Sequence, residues 1–339
     1  MNYGGIDFTL VWLAIILFGL AMYVIMDGFD LGIGILFPFF KHKEDKDVMM
    51  NTVAPVWDGN ETWMVLGGAA LMGVFPVAYS VILSALYLPL IFMLLALIFR
   101  GVAFEFRFKA DESHTKYWDA SFFFGSLIAT FFQGVVLGAI IEGMPVVDRQ
   151  FAGSSFDWVA PFPLFSGLGL VVAYALLGAT WLLIKTEGAL EAQIRRYSYV
   201  LTALFLLTIL IISIWTPLAH DTIASRWFSA PNFYFLMPIP FIVALVGMLL
   251  LYTIKIRHSH YPFFMVLILM LLGFVGLLIS LWPNIIPYDV TFWEAAAPIE
   301  SQVFMLIGTL LILPVILMYT GWSYYVFRGK VRPGEGGYH

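Results

Sequence analysis

Met26-Asp27-Gly28-Phe29-Asp30-Leu31-Gly32 lies inside an apolar stretch, and Pro55-Val56-Trp57-Asp58-Gly59-Asn60-Glu61-Thr62-Trp63 opens the next one. The first motif follows an uncharged run from Phe8. It precedes Ile33, Ile35, Leu36, Phe37, Phe39 and Phe40 before the first lysine, Lys41. At about 1.5 Å of rise per helical residue, Asp27 sits roughly 21 Å of helix before Lys41, so it belongs to the segment and not to its end. The i, i+3 spacing of Asp27 and Asp30 puts both carboxylates on one helix face. Asp58 and Glu61 repeat the spacing, so two carboxylate pairs are placed to face each other across a helix hairpin. A charge near a bilayer centre costs at least about 2.5–3.5 kcal/mol on the insertion scale, and such groups mark proton or ion routes. Asp27, Asp30, Asp58 and Glu61 are therefore the candidate proton path. The competing reading is that they cap helices or pair with Arg and Lys of neighbouring loops. An N-terminal cap suits Asp58 but not Asp27, which has apolar residues on both sides.

Composition places these motifs in a membrane. With 61% hydrophobic residues and only 12% charged, the chain carries more apolar surface than one soluble core hides. There is no cysteine, which excludes disulfides and thiolate metal sites. The start, Met1-Asn2-Tyr3-Gly4-Gly5, has no basic region and no small-residue cleavage pattern, so Phe8 onward is expected to be a retained first span.

Nine segments are long enough to cross a hydrocarbon layer roughly 30 Å thick. They lie near 8–37, 53–77, 80–99, 118–141, 162–185, 199–217, 234–255, 262–282 and 302–327, with the second and third separated by Pro76 and a Val77-Ala78-Tyr79 turn. With these spans, fifteen of the seventeen Lys and Arg residues fall in alternate loops on one side, Arg100 among them, and only Arg149 and Arg226 on the other. Basic loops stay inside, so the N-terminus is expected outside and the C-terminus in the cytoplasm. All four carboxylates then lie toward the cytoplasmic side.

Other residue classes set limits. Gly28 and Gly32 form a small-xxx-small pair that lets a neighbouring backbone approach, and Gly34, Gly67 and Gly68 are expected to pack likewise. His42, His114, His220, His258, His260 and His339 all fall in expected loops or at the terminus, so no span offers an imidazole to a heme or copper. Walker, dinucleotide, nucleophile-elbow and zinc motifs are absent. Aromatic and proline-rich outer loops, Phe151 to Pro163, Trp227 to Pro240 and Trp282 to Pro298, read as an interfacial belt with short surface helices. Glu142, Asp289, Glu294 and Glu300, on that side, read as solvated surface groups.

The two opening motifs, with Asn51-Thr52-Val53-Ala54 before the second and Phe99-Arg100-Gly101-Val102-Ala103-Phe104-Glu105-Phe106-Arg107 after it, closely resemble subunit II of cytochrome bd quinol oxidases. Gly178-Ala179-Thr180-Trp181, Lys185-Thr186-Glu187-Gly188, Trp282-Pro283 and Thr291-Phe292-Trp293-Glu294-Ala295-Ala296 extend the resemblance over nearly the whole chain. It implies an all-α membrane protein of about nine helices: one four-helix bundle in 1–141, a second in 162–282, and a ninth helix in 302–327. It further implies a partner, subunit I, which holds the b hemes, heme d and the quinol site; this chain holds none of the hemes alone. A small single-helix third subunit, and a quinone bound in subunit II, occur in part of that family. The family's proton-route aspartates correspond to Asp27 and Asp58, with Asp30 in the same motif. Glu61 departs from the pattern, which has an amide there.

Two other functions compete: a proton-coupled secondary transporter and a purely structural membrane subunit. A transporter of this size is expected to show Gly- or Pro-interrupted helices at matching places in two halves. No such pair stands out.

Overall fold

The computed structural model describes residues 2–3 and 5–334. The first long helix, α1 (Phe8–Leu36), begins where the Asp7 side chain accepts a bond from Thr9 N at 3.0 Å. It ends in a 3₁₀ turn, Phe37–Phe39, which contains Pro38. A short polar helix, α2 (Lys43–Asn51), leads to α3 (Trp57–Val74). Phe75 alone, at φ −124° and ψ 61°, separates α3 from α4 (Pro76–Phe106). Pro76 stands where a helix starts, since its fixed φ suits the first turn and its missing N–H is not needed there. The expected turn over Val77–Tyr79 is therefore helical. Pro89 gives no hydrogen bond back to the preceding turn, and α4 kinks at Leu86.

The rest alternates in the same way. Asp111 caps α5 (Glu112–Glu142) by accepting from His114 N at 3.0 Å. Then follow α6 (Pro161–Lys185), α7 (Gly188–Ala219), the short α8 (Asp221–Phe228) and α9 (Asn232–Leu236), α10 (Pro238–Lys255), α11 (Tyr261–Leu281), the single turn α12 (Phe292–Ala295) and α13 (Ile299–Val326). Three small antiparallel hairpins close the end of the molecule where α1 begins. These are β1 (Asn2–Tyr3) with β2 (Ile6–Asp7), β3 (Val146–Val147) with β4 (Gln150–Phe151), and β5 (Asn284–Ile286) with β6 (Val290–Thr291). The opposite end, where α1 stops at Leu36 and Lys41 follows, is the basic end.

Eight helices among the described residues are long and apolar enough to cross a membrane. The expected second span, α3, has only 18 residues and carries Asp58, Asn60 and Glu61 in its first turns, which lowers its hydropathy. The expected third span, 80–99, runs on to Phe106, and that extension moves Arg100 from a loop into a helix.

Helix α1 is the axis of the molecule, packing on α3, α5 and α6 and touching α11 and α13. Every residue of α1 from Met26 to Leu36 is buried, as is every residue of α6 from Ala173 to Leu183. The two helices meet at glycine. A Cβ on Gly32 would run into the carbonyl of Tyr174, and one on Gly178 would lie 2.6 Å from the backbone carbon of Gly32. Gly34 faces Ser126 in the same close manner, and a Cβ on Gly67 would lie 3.3 Å from the Leu20 side chain. Gly68, expected to pack, has nothing within 4 Å of its Cβ position. Beside the contact, Phe29 stacks on Trp181 at 4.4 Å, with Phe263 and Tyr324 edge-on to the pair.

Candidate functional site: a buried carboxylate and arginine cluster

One helix face of α1 presents Tyr23, Asp27 and Asp30, one turn apart in succession. The start of α3 brings Asn60 and Glu61 to that face, and the basic-end part of α4 brings Arg100. Arg100 is fully buried and lies at the centre. Its Nη1 is 2.6 Å from Glu61 Oε1 and 2.8 Å from Asp27 Oδ1, while Nη2 is 3.8 Å from Asp30 Oδ2. Asp27 and Asp30 are buried too, whereas the Glu61 side chain is 24% exposed and forms the outer edge.

Neutral groups extend the cluster in two directions. Asn60 Nδ2 donates to Asp30 Oδ2 at 2.7 Å, and Tyr324 of α13 donates to Asn60 Oδ1 at 2.9 Å. A cavity of about 20 Å³, room for one water, adjoins Gly59, Asn60, Ser323 and Tyr324. On the other side, Gln133 Nε2 donates to the Tyr23 oxygen at 2.7 Å, and Tyr174 OH donates to Gln133 Oε1 at 3.1 Å. Both Asp27 oxygens, Asp30 Oδ1 and the Arg100 Nε and Nη2 atoms are buried without a hydrogen-bond partner among the described residues. Asp27 is held by the Arg100 guanidinium, 2.8 Å away.

Of the four candidate carboxylates, the fold unites Asp27, Asp30 and Glu61 and leaves Asp58 apart. Asp58 is exposed in the first turn of α3. The facing of two carboxylate pairs across a hairpin is therefore only half realised. Arg100 is the residue that sequence reading misplaced. It has Ile98 and Phe99 before it and Val102, Ala103 and Phe104 after it, so the insertion-cost argument applied to Asp27 covers it equally. Asn60, Tyr23, Gln133 and Tyr174 gave no such signal, because neutral polar residues are common in membrane helices.

Arg107, also assigned to a loop, is buried in a 3₁₀ turn directly after α4. It bonds Asp47 and Asp119 at 2.6 Å each, and Lys46 reaches Asp119 at 2.7 Å. This second cluster ties α2 to α4 and α5 at the basic end. Glu294 is more than a solvated surface group, since it forms a capping box with Thr291.

The described histidines stand at helix ends: His42 and His260 before α2 and α11, His114 in the first turn of α5, His220 after α7, and His258 in the loop after α10. His339 lies outside the described residues. Among the described residues no group of three or more His, Cys, Asp or Glu side chains is placed to hold a metal ion.

The sequence matches the family described as Cytochrome bd terminal oxidase subunit II over residues 8–327. The chain belongs to that family. It is the second subunit of a bd-type terminal oxidase, an oxidoreductase complex, and the transporter reading has no support. Two relatives are similar along almost their full length. The cytochrome bd ubiquinol oxidase subunit 2 of Bacillus subtilis (strain 168) is 29% identical, with 97% of each chain covered. The cytochrome bd-I ubiquinol oxidase subunit 2 of Escherichia coli (strain K12) is 26% identical, covering 95% of this chain and 94% of its own. The fold is similar to a chain in the structure of bd oxidase from Geobacillus thermodenitrificans, at TM-score 0.77 and 17% identity, over 95% of this chain and 99% of that one.

Proposed function

We propose that this subunit accepts protons at its basic end and holds them in the Arg100 cluster for delivery to a heme-bearing subunit I that oxidises quinol and reduces oxygen to water. In this reading the basic end is cytoplasmic, and Asp58 is the outermost acceptor. Asp27, Asp30 and Glu61 lie behind it. The observation that carries the reading is the charge balance: three carboxyl groups surround one guanidinium, and only the Glu61 side chain is partly exposed. A fully ionised cluster would bury two uncompensated negative charges, which a low-dielectric interior penalises by several kcal/mol each. The cluster therefore shares protons among its carboxyls, and gaining or losing one is a property of the group and not of a single residue. Hemes b and heme d, held by subunit I, supply the electron transfer and oxygen chemistry. The same reading arranges the chain as bundles 1–141 and 162–282 with the helix in 302–327 beside them. A small single-helix third subunit and a bound quinone enter it from the family resemblance alone.

The tight pairing of Arg100 favours one alternative, in which the carboxylates only hold helices together. Asp58→Asn and Asp27→Asn separate the two. A relay predicts slower oxygen consumption per heme and reduced proton uptake in a single turnover, with normal heme content. Wild-type rates and uptake in the doubly substituted, fully assembled complex would leave these aspartates structural.

A further inference from the structure

At the end opposite the basic end, the short helices α8 and α9 pack beside the close of α11 around an open cavity of about 530 Å³. That volume is in the range of small-molecule sites. Its wall is divided chemically. Arg226 and Asn232 supply donors, the Ser225 hydroxyl being engaged with Thr222 O at 2.9 Å, while Phe235, Ile279 and Trp282 form an apolar surface beside them. No carboxylate is among the lining residues, and among the described residues Arg226 makes no ion pair. The guanidinium is fixed: Nη1 donates to Ile279 O at 3.1 Å, and next to it Trp227 Nε1 donates to Ser280 Oγ at 2.9 Å. Four of its five N–H groups are left for another acceptor.

We propose that this cavity binds the phosphate head of a membrane phospholipid, with the acyl chains lying along the apolar wall. An unpaired, half-buried guanidinium beside an amide donor matches a phosphate, whose oxygens only accept and carry charge. The apolar wall selects a lipid over free phosphate, because a bare anion leaves Phe235, Ile279 and Trp282 uncovered. The level is also right. Helix α7 ends at Ala219 and α11 at Leu281, so α8 lies where spans give way to the head-group layer, with Trp227 and Trp282 as interfacial aromatics. The inference is independent of the proton reading, since no residue of the Arg100 cluster takes part.

The test is native mass spectrometry of the purified oxidase complex, titrated with a phosphatidylglycerol and, separately, with inorganic phosphate. Arg226→Gln is expected to weaken phosphatidylglycerol binding by about tenfold or more, the scale of a hydrogen-bonded charge pair. Asn232→Ala keeps the bond from Arg226 to Ile279 intact and is expected to weaken lipid binding by a smaller factor, which guards against a folding effect in the first variant. Arg149→Gln, at the same end but bonded to Glu294 O, is expected to leave binding unchanged. Unaltered lipid binding in both cavity variants would overturn the proposal. So would inorganic phosphate competing as strongly as the lipid, or a quinone or a segment of another subunit found in the cavity instead.

Discussion

Arg100 is surrounded by carboxylates but packed in apolar helix, and that arrangement fixes what its removal does. Taking away one partner of a buried ion pair strands the other charge, at a cost of about 3–5 kcal/mol. Arg100→Met is thus expected to lower the thermal midpoint of the complex sharply or to prevent assembly, measured by heme content after purification. Adding Asp27→Asn to that variant should recover part of the loss, since one stranded carboxylate disappears with it. Glu61→Gln is expected to be mild, because its side chain is partly exposed and Asp27 and Asp30 remain beside Arg100. The aspartates were legible in the sequence because apolar residues flank them on both sides. Arg100 was not, because the span before it was closed at the first charge met, although Val102, Ala103 and Phe104 continue the segment. The sequence set Asp58 apart only as suited to an N-terminal cap; the fold shows that α3 turns Asp58 outward and Asn60 inward.

Between elements, the contact of α1 with α6 decides how close the carboxylate face comes to its neighbours. The pair Gly28 and Gly32 pointed to such a contact from spacing alone, while the partner helix was hidden because the residues that complete it, Tyr174 and Gly178, are distant in sequence. An alanine in a helix interior is ordinarily favoured over glycine by up to about 1 kcal/mol. At Gly32 and Gly178 the sign reverses, since the methyl group meets backbone, which cannot swing aside as a side chain can. Overpacking of this kind costs about 1–3 kcal/mol or more. Gly32→Ala and Gly178→Ala are expected to cut the yield of assembled complex, whereas Gly68→Ala, with nothing within 4 Å, should be neutral or slightly stabilising. Equal yields for all three would refute a close-packed α1–α6 seam.

For the molecule as a whole, the two ends differ in chemistry, and each difference is testable. Alternation of basic loops predicts orientation: a reporter active only outside the cell should work within 151–157 and fail after Ser259 or Gly334. External activity at either of the latter would reverse the assignment of the basic end. The opposite end joins the beginning of the chain to its last third. Trp12 Nε1 donates to Gln302 O at 3.0 Å, Trp293 Nε1 donates to Asp7 Oδ2 at 2.8 Å, and Ala297 N bonds Val74 O at 2.7 Å. Two carboxyls in this seam have pKa values below the usual carboxylate range. For Glu294 the backbone and side-chain bonds from Thr291 are responsible; for Asp7, burial acts upward but is outweighed by the bonds from Trp293 and nearby backbone N–H groups and by the N-terminal charge. Because folding depresses both, their stabilisation is complete above the ordinary carboxylate range near pH 4 and is lost as pH falls through the folded values. Amide hydrogen exchange in residues 284–297 of the complex should therefore quicken in mild acid, below about pH 4, before exchange in α1 and α6 changes. Glu294→Gln and Asp7→Asn remove the titrating groups and should flatten that acid response. An unchanged response in the double variant would place the acid-sensitive contacts elsewhere, outside this seam.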